Sequence, residues 1–165
     1  MPEDLPSRLE RARELLHTVR HAAMATVNED GSPHNTPFFF ACDGSLEHIY
    51  WASNPASLHS GNVERTGQLF VVLYDAFQGG GLYLRADNAH ATEGAELETA
   101  HAVFTECAKR AGKKVAPPSH YSGTEPERIY VATVKQLWVN GAERNTEGFI
   151  ICDRRFEITR KELLA

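Results

Sequence analysis

Between His21 and Asn140 the chain is cut by turn signals spaced too closely for helices to fill most of the gaps. Asn28-Glu29-Asp30-Gly31 closes the apolar run Ala22 to Val27, and Asp43-Gly44-Ser45 follows a segment of about Pro33 to Ala41. That segment alternates His34, Thr36, Phe38 and Phe40 with Asn35, Pro37, Phe39 and Ala41. Both faces carry large apolar groups, so much of the strand should be buried, and Pro37 marks an edge position or a bulge. Further strands are expected at His48 to Ala52, Gln68 to Tyr74, Gly81 to Ala91 and Arg128 to Asn140, with one or two more at Phe149 to Asp153 and Phe156 to Ile158. Closely spaced strands joined by tight turns pair antiparallel. The expected class is mainly β (α+β), a small antiparallel β-barrel with helices packed at its ends.

Three helices interrupt the strands. Leu5, Leu9, Ala12, Leu16 and Val19 follow a helical period that ends near Arg20 or His21, and Ser7 with Glu10 resembles a capping box after Pro6. A short helix is expected from about Pro55 to Arg65, with Ser53 or Asn54 capping it and Pro55 in its first turn. A longer one, Glu93 to Gly112, carries the stripe Leu97, Ala100, Phe104, Cys107 and Ala111 and ends on a glycine. The polar, proline-bearing stretch Lys113 to Glu127 is long enough to be a functional loop.

Composition narrows the function. The 165 residues suffice for one domain with a real core. Seventeen Lys and Arg against 22 Asp and Glu give a net charge of −5, which works against nucleic-acid binding. Arg8, Arg11 and Arg13 alternate with Glu10 and Glu14, so they are expected on a solvated helix face. No apolar run has the length of a membrane span, and the N-terminus lacks a secretory apolar core. Cys42, Cys107 and Cys152 form no CxxC pair, as expected of small buried hydrophobes in a reducing cytoplasm. The scattered histidines, His17 and His21 included, define no metal site. Gly79-Gly80-Gly81 lacks the Lys-Ser/Thr of a phosphate loop and leads into a strand.

One constellation carries chemistry. Trp51-Ala52-Ser53-Asn54-Pro55-Ala56-Ser57-Leu58-His59-Ser60-Gly61-Asn62 brings a strand end, hydroxyls and backbone N–H groups to a helix N-terminus, a place that favours anions. Ser53 and Ser57 can donate to a phosphate, and a protonated His59 adds charge. With this segment in view, the runs HAAMATVNEDGSPHNTPFFF, IYWASNPASLHSGNVERTGQLFVVLYDA and GGGLYLRADNAHA, and the closing RIYVATVKQLWVN, resemble the pyridoxamine 5'-phosphate oxidase-like family of FMN-binding split barrels.

The resemblance implies an antiparallel split β-barrel with N-terminal, short inserted and long flanking helices. It divides a single domain, 1–165, into an N-terminal helix (1–20), a barrel core (21–140) and a C-terminal strand extension (141–165). It further implies a homodimer that binds FMN at the subunit interface and acts on a small molecule; the composition adds a cytoplasmic setting, with neither nucleic acid nor membrane as partner. Carried over, His34, Asn35 and Thr36 line the isoalloxazine edge; Trp51, Ala52 and Ser53 contact the flavin and ribityl chain; Ser57, His59 and Asn62 lie at the phosphate end; Trp138 lies at the dimer groove. The chain departs from the pattern at Leu58 and His59, where relatives place Lys or Arg and where Arg65 is a candidate substitute, and at Leu84-Arg85-Ala86-Asp87. Its C-terminus, RRFEITRKELLA, does not resemble the oxidase's terminal region. The implied function is therefore a flavin-dependent oxidoreductase of unknown substrate, not a pyridoxamine phosphate oxidase. Its alternatives are a non-catalytic carrier or sensor for flavin, haem or deazaflavin, and a dimeric structural domain with an empty pocket. His34, His48 and Tyr74 are the acid–base candidates, and none is assigned a catalytic role. A His59 paired with phosphate would make FMN affinity fall as pH rises through its raised pKa.

Overall fold

The computed structural model describes residues 5–77 and 80–165, so Gly79 of the glycine run lies outside the described residues. Helix α1 (Leu5–Thr18) leads into β1 (His21–Val27), β2 (Pro33–Phe39), the two-residue β3 (Ala41–Cys42) and β4 (His48–Ser53). Then come α2 (Leu58–Thr66), β5 (Leu69–Tyr74), β6 (Gly81–Ala91), α3 (Gly94–Arg110), a 3-10 turn at Pro118–Tyr121, β7 (Arg128–Arg144), β8 (Ile150–Ile158) and α4 (Arg160–Leu164). Every pairing is antiparallel, in the order β2-β1-β5-β6-β7-β4-β3, with β8 on the far half of β7. Only Phe40 separates β2 from β3 in the chain, yet they occupy opposite ends of that order. The sheet therefore curls on itself without closing, a split barrel and not a sealed one.

The core divides in two because β4 and β7 are buried on both faces. Ile49 and Trp51 of β4 and Tyr130 and Ala132 of β7 point into the curl, against Met24, Phe38, Val71, Leu82 and Leu84. Ala12 and Leu15 of α1 and Leu163 of α4 plug it. The alternate residues Tyr50, Ile129 and Val131 point outward, under Leu97, Ala100 and Phe104 of α3 and Tyr121 of the Lys113 to Glu127 stretch. Pro37 sits on an edge strand as expected, where the missing N–H disrupts no inner ladder.

Several local expectations need correction. The strand expected to run to Ala41 breaks at Phe40, whose ring is buried and whose N–H donates to the Arg20 carbonyl (3.0 Å). α1 is helical from Leu5, so Ser7 lies inside it and not at its cap. Its buried stripe is Arg8, Ala12 and Leu15, with Leu5 exposed; Arg8, expected in solvent, is only 8% exposed. α2 starts at Leu58, later than expected, because Asn54 folds residues 54–57 into a turn: its side chain accepts from Ala56 N–H (2.8 Å) and its carbonyl from Ser57 N–H (3.0 Å). Ser57, not Ser53 or Asn54, holds the N-cap position. β7 continues past Asn140 to Arg144, β8 is a single strand, and α4 was not expected. Thr159 and Glu162 form the capping box that opens α4. α3 ends as expected: Gly112 (φ 69°) and Lys113 return N–H bonds to Lys109 and Ala108, although Ala108 and not Ala111 completes the buried stripe.

Candidate functional site

The end of β4 and the start of α2 converge four polar side chains. Ser53 Oγ lies 2.7 Å from His59 Nε2 and 3.1 Å from Ser57 Oγ, and Ser57 Oγ lies 3.2 Å from the same imidazole nitrogen. Ser60 is fully buried beneath them; its hydroxyl donates to Ser53 Oγ (3.1 Å) and accepts from Ser57 Oγ (2.9 Å). The Ser57 hydroxyl makes no capping bond to the backbone of the helix it precedes; it bonds the side chains of the cluster instead, and the first-turn N–H groups of α2 keep their positive end toward it. Below, the Tyr130 hydroxyl is buried beside Ser60 and Glu64 without a partner of good hydrogen-bond geometry.

A second strand brings an imidazole alongside. The His34 and His59 rings are parallel within 3° at a centroid separation of 6.4 Å. His34 sits opposite Thr26 across the β1–β2 ladder. Thr26 in turn accepts from the amide of Asn62 (3.0 Å), which also donates to Asn28 (2.8 Å) and so pins α2 to the β1–β2 turn. Burial lowers the His59 pKa below the ordinary 6.5, and the neighbouring His34 lowers it further. The imidazole is therefore neutral near pH 7.

Residues 9–140 match the family model described as pyridoxamine 5'-phosphate oxidase. The chain belongs to the pyridoxamine 5'-phosphate oxidase family. No functionally curated protein matches it. Solved structures share the fold at low identity. A haem-binding protein of Mycobacterium smegmatis superposes with a TM-score of 0.66 at 16% identity, covering 98% of this chain and 62% of that one. The haem storage protein HutZ of Vibrio cholerae gives 0.61 at 19% identity, covering 77% and 90%. A structure titled F420 reductase gives 0.56 at 17% identity, covering 76% and 94%. This chain thus spans less than two thirds of the mycobacterial protein.

Of the residues carried over from the pyridoxamine 5'-phosphate oxidase family, the fold gathers His34, Ser53, Ser57 and His59, with Asn62 linked through Thr26. Thr36 shares the His34 face, one step nearer the buried Phe38. The others point elsewhere. Asn35 is exposed on the opposite face of β2. The Trp51 ring is fully buried, stacked on Tyr130 (5.4 Å, 13°), which leaves only its backbone for a ligand. Ala52 packs under α3. Trp138 lies on the outer sheet face beside Phe70 (5.9 Å). Leu58, at the departure from the family pattern, is 56% exposed, and Arg65, at the far end of α2, bonds the Val27 carbonyl. Neither supplies charge to the cluster. Ser60, Thr26 and Asn28 were missed; the spacing of Ser60 three residues after Ser57 is the signal that places both hydroxyls on one helical face. Of the acid–base candidates outside the cluster, His48 is held by Asp43 (3.0 Å) and Tyr74 is half exposed. Among the described residues, no group of three or more His, Cys, Asp or Glu converges as a metal site, and no helix is long and apolar enough to cross a membrane.

Proposed function

We propose that the chain binds a flat redox cofactor with an anionic tail, FMN foremost, and works as a cytoplasmic homodimeric oxidoreductase on a small molecule. The observation that carries this reading is the Ser53–Ser57–Ser60–His59 cluster at the uncapped N-terminus of α2. The donor chemistry fits a phosphate: three hydroxyls, an imidazole that gains a proton when an anion arrives, and free helix N–H groups. Ser53, Ser57 and His59 would hold the phosphate, and His34 would flank the flat ring. Bound flavin would supply hydride or single-electron transfer, while these residues orient it. The cluster holds no guanidinium for a second phosphate, which favours a substrate other than pyridoxamine phosphate.

The test is the visible spectrum of the purified dimer with and without added FMN, followed by NADH or NADPH. A stoichiometric flavin spectrum that bleaches with the nicotinamide supports the enzyme, and one that binds without bleaching supports a carrier. A protein that stays colourless refutes the reading. The parallel His34 and His59 rings favour haem as a second reading, seen as a Soret band on haem addition that is lost in His34→Ala and His59→Ala.

A further inference from the structure

On the opposite flank, a cavity of about 530 Å³ opens between α1, the Gly80-Gly81 strand start and the β7–β8 arm. Arg8 lines it from α1. Its guanidinium lies 4.3 Å over the Phe156 ring and flat against Gly141; a Cβ on that glycine would fall 2.1 Å from the Arg8 Cζ. The side chain is more than nine-tenths buried, its Nε has no hydrogen-bond partner, and among the described residues it makes no ion pair. A buried cation with a ring beneath it and no anion beside it is costly to keep. Two more arginines line the same space. Arg144 donates to the Gly148 carbonyl, and Arg11 is paired with Glu14 and Asp75. The lining's carboxylate, Asp153, is exposed and not paired with Arg8.

We propose that this cavity is a binding site for a small organic oxyanion, a carboxylate or a phosphate monoester, whose charged group pairs with Arg8 and is steadied by Arg144. The cavity lies within the usual range for small-molecule sites and leaves room for a body beyond the charged head. Gly141 is what permits the arrangement, because no other residue leaves space for the guanidinium.

Thermal unfolding of the full chain tests this, with inorganic phosphate and acetate as separate probes at constant ionic strength. The parent should show a saturable rise in Tm of about 3–6 °C at ten times the dissociation constant. A response to phosphate marks a phosphate monoester as ligand, and one to acetate marks a carboxylate. Gly141→Ala displaces the guanidinium without changing net charge and should abolish the response. Arg144→Ala should weaken it about tenfold or more, and Arg8→Met should not respond while keeping the anion-free Tm of the parent or exceeding it. No saturable rise with either probe overturns the proposal. So does an equal rise in Gly141→Ala and Arg8→Met, which would place the effect elsewhere.

Discussion

The two outer faces of the sheet are treated differently. Over β4 and the first half of β7, α3 and Tyr121 cover Tyr50, Ile129 and Val131, all nearly inaccessible. Over β5, β6 and the second half of β7, Val72, Tyr83 and Trp138 lie in register, with the Phe70 ring diagonal to them at 6.3 Å from Tyr83 and 5.9 Å from Trp138; all four are partly exposed, and Arg155 stacks at 4.1 Å on Tyr83. Aromatic groups with an arginine rim are the composition of an interface centre, not of a solvated sheet, whose outer positions are normally polar. The covered face stabilises the protomer, and the open one is suited to a second copy, the homodimer proposed above.

Four substitutions separate these roles. The largest effect is expected under α3, where Phe104→Ala should cost about 3–5 kcal/mol of folding stability in denaturant titration, independent of protein concentration. On the open face, Trp138→Ala should weaken self-association by at least about thirtyfold while leaving the protomer folded, seen by light scattering across a dilution series. If Trp138→Ala instead unfolds a chain that is monomeric throughout, the open face is not an interface. At the cluster, Ser57→Ala should lower FMN affinity about tenfold by equilibrium dialysis. The smallest change is at the capped end of the barrel, where Thr159→Ala should cost about 1 kcal/mol by loss of the capping box.

The pH dependence has a defined sign. In the ligand-free chain His59 titrates below 6.5, by burial first and His34 second. The folded state then binds fewer protons than the unfolded one, so this group's contribution to stability is intact above 6.5 and falls away as pH drops from there through the folded value. A phosphate bound as proposed would raise the His59 pKa, so anion affinity should fall as pH rises between the free and bound values. NMR titration of the imidazole with and without FMN checks both; a resonance that does not move on binding removes His59 from the site.

What was legible in the sequence was local. Gly112 ends α3 and the β1–β2 turn needs Gly31 (φ 83°), both because the required backbone conformation suits one residue type. The strand at His48 to Ala52 is equally readable, but the period of a strand says only that Trp51 and Ala52 face opposite ways, not which faces the curl. That choice is made by Tyr130 and Phe38, distant in sequence, and it withdraws the Trp51 ring from the site. Arg8 was misread for the same reason. Its charge predicts solvent, and its burial depends on Gly141 and Phe156, which no helical pattern connects to it. At the cluster, Ser53, Ser57 and His59 were readable as a helix-start motif, whereas Thr26 and Asn28 join only through pairing of β1 with β2.

The strand order has a consequence for how the chain is made. Ile49 and Tyr50 pair on one side with Cys42 and Ala41 of the two-residue β3, but on the other side with Ala132 and Val131, so β4 leaves the ribosome long before the strand that completes its ladder. Until then Trp51 and its apolar neighbours have no settled environment, and such delayed long-range pairing is slow and open to aggregation. Chaperone demand during synthesis, and truncations ending before Arg128 that are produced only as insoluble protein, are what this topology entails.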